Sequence, residues 1–172
     1  VRQRASRLFF SRAKSKETRQ FVATLNENND LAKILFVPSK PGFRPTDART
    51  AVLARVWTLG QLDIASARAC ILRLLDHEDE SVRHTALNVV NLHRSSDAYS
   101  RIVELLASDG PAIRRVAAEA LGRLGNTAAV PHLLAVAADA EDRILQHSIT
   151  YALIELADPS ATRAGIASKA PG

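Results

Sequence analysis

Ile113-Arg114-Arg115-Val116-Ala117-Ala118-Glu119-Ala120-Leu121-Gly122-Arg123-Leu124-Gly125 is the stretch whose reading decides the fold. Ile113, Val116, Ala117, Ala120, Leu121 and Leu124 recur at spacings of three and four, so they share one face of a helix. Pro111 suits the first helical turn, where a missing N–H costs nothing. Gly125 ends the helix, because it enters the left-handed conformation without a Cβ penalty, and Asn126 or Thr127 caps the next start. A second helix is expected from about Ala128 to Ala138, with Val130, Leu133, Leu134 and Ala137 turned inward, and residues 139–142 form the turn beyond it.

The same pattern recurs along the chain. Thirty-one residues before Ile113 stands Val82-Arg83-His84-Thr85-Ala86-Leu87, and thirty-two after it Leu145-Gln146-His147-Ser148-Ile149-Thr150. Leu59-Gly60-Gln61-Leu62 lies under Leu121-Gly122-Arg123-Leu124 at twice that spacing. A period near thirty-one with two helices per unit is the signature of a helical repeat array. The fold class is therefore all-α, a right-handed α-solenoid of antiparallel helix pairs. Helices are expected near 47–62, 64–76, 80–93, 97–108, 111–124, 127–138, 142–157 and 159–169. No alternating β-branched runs flanked by turn residues signal a strand.

The reading divides residues 1–172, taken as one solenoid, into three parts. Residues 1–12 read as the second helix of a truncated repeat, since Val1-Arg2-Gln3-Arg4-Ala5-Ser6-Arg7-Leu8-Phe9 has the character of the Ile113 helix. Residues 13–46 are an atypical insertion, where Pro38, Pro41 and Pro45 around Gly42 preclude a helix and make a loop. Residues 47–170 hold four regular repeats. The chain has no Met, and it is expected to be a piece of something longer.

Hydrophobic residues make up 47% of the chain but aromatics only 5%, so small aliphatic side chains carry the burial. No run approaches the roughly 20 apolar residues of a membrane-spanning helix. Residues 1–50 hold eleven Lys/Arg against four Asp/Glu, whereas residues 51–172 hold twelve against fourteen. That asymmetry points to an anionic contact near the N-terminus. The single cysteine, Cys70, excludes an internal disulfide and a thiolate cluster, and its apolar neighbours mark it as a small buried hydrophobe.

Residues 113–125 resemble the short bacterial form of the HEAT repeat, whose second helix reads Val-Arg-Arg-x-Ala-Ala-x-Ala-Leu-Gly-x-Leu-Gly. The resemblance implies that Arg83 and Arg114 bond the turns of adjacent repeats in a structural ladder, with Asp79 and Asp109 as partners. Residues 55–63 and 142–155 are also similar to the HEAT segment of large planctomycete-type membrane-bound dehydrogenase and c-type cytochrome proteins. That likeness implies a structural section whose chemistry lies elsewhere in its parent, in a periplasmic or membrane-associated setting; without it the compartment is cytoplasmic. The haem-attachment Cys-x-x-Cys-His is absent from this chain.

Convergent chemistry is not evident, and no cofactor, metal ligand set or catalytic group is assigned. Asp76-His77-Glu78-Asp79-Glu80 falls at a turn, where acids favour the positive end of the next helix. His77, His84, His93, His132 and His147 show no zinc spacing, but His84 and His147 occupy similar places on successive second helices. Ser148 beside His147 is adjacency rather than a dyad. Trp57 and Tyr151 sit at apolar-periodic positions and are expected in the core, with base stacking as the other use of such rings.

The expected function is a non-catalytic scaffold for a protein partner or for neighbouring domains of the parent chain. Its contact residues would be Arg115, Glu119, Arg123, His84 and Asn88, regular polar substitutions along the second helices. The alternative is nucleic-acid binding through Arg2, Arg4, Arg7, Arg12 and Arg19, with Lys14 and Lys16 among them.

Overall fold

The computed structural model describes residues 48–62 and 64–169. The chain falls into two compact units, residues 1–73 and 74–172. Among the described residues there are eight α-helices and no strand.

In the first unit lies α1 (Ala48–Gly60), and α2 (Ala65–Leu74) begins there and ends at the boundary. Val52, Val56, Leu59, Ala67, Cys70 and Ile71 are buried. Burial pushes the Cys70 thiol up to about 11, so this cysteine stays protonated and packs as an apolar group.

In the second unit three helix pairs follow: α3 (Glu80–His93) with α4 (Tyr99–Ser108), α5 (Pro111–Leu124) with α6 (Val130–Asp139), and α7 (Arg143–Leu156) with α8 (Pro159–Lys169). Short 3-10 turns at Ser96–Ala98 and Thr127–Ala129 lead into α4 and α6, so both helices start two or three residues later than their sequence pattern implies. The helix ends obey local chemistry. Asp79 and Asp142 cap α3 and α7 by accepting from the Ser81 and Ile144 amides at 2.7 and 2.9 Å. Gly125 closes α5 at φ 72°, while Arg94 and Ala157 close α3 and α7 in the same left-handed region.

The helices here called second, α3, α5 and α7, stand side by side, with α5 between its two neighbours and α4 also against it. Burial follows that position. Ile113, Val116, Ala117, Ala118, Ala120, Leu121 and Gly122 are all buried on α5, so nearly every turn has its apolar side covered. Below it the outer helices contribute Ile102, Leu105 and Leu106 from α4 and Val130 and Leu133 from α6. Each fully buried aliphatic side chain of this size contributes about 1.5–3 kcal/mol.

Small residues set how near α5 and α7 come. A Cβ added at Gly122 would sit 2.7 Å from Ala152 Cα and 3.0 Å from Ala152 Cβ, with Glu155 Oε2 at 2.9 Å. Backbone, not a flexible side chain, blocks that space. Gly122→Ala therefore destabilises the protein by about 1–3 kcal/mol, although alanine is the better helix former by about 1 kcal/mol. Urea unfolding measures this; an unchanged or raised midpoint contradicts the packing described.

Candidate functional site

Successive second helices carry equivalent residues, and their polar positions divide into two sets with different work. The first set binds repeat to repeat. Residue 83 on α3, 114 on α5 and 146 on α7 occupy the same place in the first turns of their helices, and each reaches back to the preceding turn. Arg83 donates from Nη1 to the carbonyls of His77 and Glu78, both at 2.8 Å. Arg114 donates from Nε to the Leu106 carbonyl at 3.0 Å. Gln146 donates from Nε2 to the Ala140 carbonyl at 2.6 Å. Each bond satisfies a carbonyl at the end of a helix or in the turn beyond it, where helical partners run out.

Forward contacts complete the tie. Arg83 forms a two-pronged pair with Asp109, Nε to Oδ2 and Nη2 to Oδ1, both at 2.8 Å. The side chains are only 18% and 14% exposed, so water competes weakly for the pair. Asp109 also accepts from the Gly110 amide at 2.6 Å, beside the start of α5. One repeat on, Arg115 binds Asp142 Oδ2 through Nε at 2.9 Å and Nη2 at 2.6 Å. Asp142 in turn caps α7. An arginine on one second helix thus fastens the first turn of the next.

Of the four residues expected in the ladder, Arg83 and Asp109 bond each other, Arg114 reaches only backward, and Asp79 caps α3. Asp142, which shares the N-cap place of Asp79 and Gly110, is met by Arg115, a residue expected among the partner contacts. Gln146 and Asp142 were missed. Gln146 lies at the Arg114 position of its repeat, and the conversion from arginine to an uncharged donor hid the equivalence.

The second set is half-buried at His84, Asn88, Arg115 and Glu119 and exposed at the other five positions. Its rows are His84, Arg115 and His147; then Asn88, Glu119 and Tyr151; then Leu92, Arg123 and Glu155. Asn88 donates to the His84 carbonyl at 2.9 Å and stands 3.1 Å from His84 Nδ1, which holds that imidazole in place. His147 meets Tyr151 edge-on, with ring centroids 5.1 Å apart. Tyr151 is 57% exposed and Trp57 44%, correcting their expected place in the core. Both rings stand at the Asn88 and Glu119 position of their helices, which is half-buried in α3 and α5, so local apolar periodicity does not decide their burial. Ser148 is buried while His147 is exposed, so the two offer no dyad.

Among the described residues no group of three or more His, Cys, Asp or Glu side chains is placed to hold a metal ion, and no helix is long and apolar enough to cross a membrane. Arg2, Arg4, Arg7, Arg12 and Arg19 lie outside the described residues.

Stacked antiparallel helix pairs, tied through their second helices and lacking strands among the described residues, define an α-solenoid. A family model described as HEAT repeats matches residues 69–154, half of the chain, and the chain belongs to the HEAT-repeat family. Comparison with curated proteins gives no match. HEAT repeats generally mediate protein–protein interaction and are typically non-catalytic.

The ladder makes stability depend on pH. The Arg83 guanidinium holds the Asp109 carboxyl below the usual carboxylate range, with the Gly110 amide assisting. Arg115 and the Ile144 amide lower Asp142 in the same way. A carboxyl depressed in the folded state contributes stability that is present above its unfolded pKa and is lost as pH falls through the folded one. Stability is therefore expected to be level at neutral pH and to fall below about pH 4. Asp109→Asn costs about 1–2 kcal/mol at pH 7, after allowance for the solvent at the pair's edge, and costs little at about pH 2. Urea midpoints of the two proteins across pH check this, and a penalty that does not shrink in acid contradicts it.

Proposed function

We propose that the chain is a non-catalytic scaffold whose outward rows on α3, α5 and α7 bind a protein partner. The observation that supports this most is the exposure of large side chains within an otherwise polar stripe on a stacked frame. Tyr151 is 57% exposed and Leu92 56%, with Arg123 and Glu119 between them in repeat order. A tyrosine offers a broad apolar face at little entropic cost and a hydroxyl at its rim, and such residues anchor interfaces. The remaining contacts are polar and carry both signs: His84, Asn88, Arg115, Glu119 and Arg123. Arg115 joins them only through its outer edge, because Asp142 occupies its guanidinium.

This mixture suits a protein segment better than a nucleic-acid backbone. Arg83, Arg114 and Arg115 are engaged by carboxylates or carbonyls of the chain itself, so the second helices offer no continuous cationic track. The further reading, that this scaffold is a section of a larger dehydrogenase-linked protein, rests on the resemblance at residues 55–63 and 142–155. The parent reading frame on both sides tests it.

Cross-linking from a photoreactive group at Tyr151 in cell extract identifies the partner. Tyr151→Ala and Glu119→Ala together are expected to weaken its capture about tenfold or more while the melting temperature stays put. Capture unaffected by the pair removes the assignment of this surface.

A further inference from the structure

On α3 the rows hold two side chains whose hydrogen atoms are fixed by geometry. Asn88 lies one turn after His84, and its Nδ2 is 2.9 Å from the His84 carbonyl and 3.1 Å from His84 Nδ1. A carbonyl oxygen only accepts, so the amino half of the Asn88 carboxamide must face it. That amino group carries two hydrogens, enough for both contacts. His84 Nδ1 is thereby an acceptor, and in a neutral imidazole the proton then belongs to Nε2. Asn88 Oδ1, at the other end of the carboxamide, is left to accept.

Among the described residues neither His84 Nε2 nor Asn88 Oδ1 has a hydrogen-bond partner, and neither is a buried orphan. Both atoms therefore reach solvent, although the side chains that carry them are half-buried. A side chain held in this way costs little further ordering when a partner binds. The neighbouring repeats use the same two places differently. On α5 they hold Arg115 and Glu119, and the arginine is bound to Asp142. On α7 they hold His147 and Tyr151, which meet edge-on by their rings. A carboxamide fixes an imidazole on α3 alone among the three second helices of this unit.

A donor and an acceptor with set roles select what lies against them. The group over Nε2 must accept, and the group over Oδ1 must donate. An anion satisfies Nε2 but meets Oδ1 with a second acceptor. In an extended peptide the C=O and N–H of one residue stand on the same edge, and such an edge supplies both. We infer that His84 Nε2–H and Asn88 Oδ1 read the backbone of an extended partner segment, and that Asn88 is also the positioning residue that keeps His84 a donor. Leu92, 56% exposed and one turn further along α3, offers the same segment an apolar contact. The inference rests on the partner-binding reading of the rows and names what the partner presents at α3.

Two measurements on the full chain test this. Long-range proton–nitrogen NMR at about pH 8, where an imidazole is neutral, is expected to show His84 with its proton on Nε2 and a bare Nδ1. Asn88→Asp offers only acceptors and so puts a proton on Nδ1. A proton on Nδ1 in the unaltered protein overturns the inference, whatever partner is found. Linear peptides selected from a random library against the full chain are the binding probe. Their affinity is expected to fall about tenfold with His84→Ala or with Asn88→Asp. His84→Gln retains it, because the glutamine amino group takes the place of Nε2–H. Exchanging the peptide's amides for esters one at a time finds a position whose loss is not additive with that of Asn88→Ala. Peptides indifferent to His84→Ala, or weakened equally by His84→Gln, overturn the inference, as does a library that yields none. Capture at Tyr151 that survives His84→Ala leaves the scaffold reading standing and removes this one; failure of that capture, with peptides still read through His84, removes only the wider surface.

Discussion

Gly122 of α5 lies so close to Ala152 of α7 that not even a methyl group fits between them. That approach sets the architecture of the second unit. Helices this near bury their flanks in one another, which is why alanine fills α5 and why large side chains move to the layer beneath, at Ile102, Leu105, Leu106 and Leu133. The polar ties are consequences of the same geometry. Only when second helices stand side by side does Arg83 reach Asp109, or Arg115 reach Asp142, across a whole repeat. A pair of helices has too little apolar face to be stable alone, and the stack supplies the rest.

Much of this was legible in residue spacing. The helix from Pro111 to Leu124 ends where Pro111 and Gly125 imply, and the three-and-four periodicity picks out its buried face. The array follows from repetition of that unit at Val82 and Leu145. The 3-10 turns before α4 and α6 were not legible, because their residues suit either helical form. Nor was the exchange between Arg114 and Arg115 legible. Neighbouring arginines differ by about 100° around a helix, and which one meets Asp142 depends on the rotation of α5 against α7 rather than on the local sequence. Trp57 and Tyr151 failed for a related reason: the pattern that places a residue beside apolar neighbours does not say whether another helix covers it.

The distinction between tying and facing residues carries the functional argument. Side chains at the starts of α3, α5 and α7 are occupied in fastening turns, so their donor groups are not available to a partner on the same terms as the charges of Arg123 or Glu119. What remains outward is a stripe of mixed polarity with Tyr151 and Leu92 at different repeats. A stacked frame holds that stripe in place, which lowers the ordering cost of binding. The frame is local where the ties are local; its strength should fall away from α5, which alone among the second helices of this unit has one on either side.

Native-state hydrogen exchange tests that central claim most directly. Amides of α5 are predicted to exchange slowest in the second unit, with α3 and α7 next and α4, α6 and α8 faster, because protection follows coverage by neighbouring second helices. Exchange in α6 or α8 as slow as in α5 would contradict the account, since stability would then reside in the outer layer and not in the close stack around Gly122.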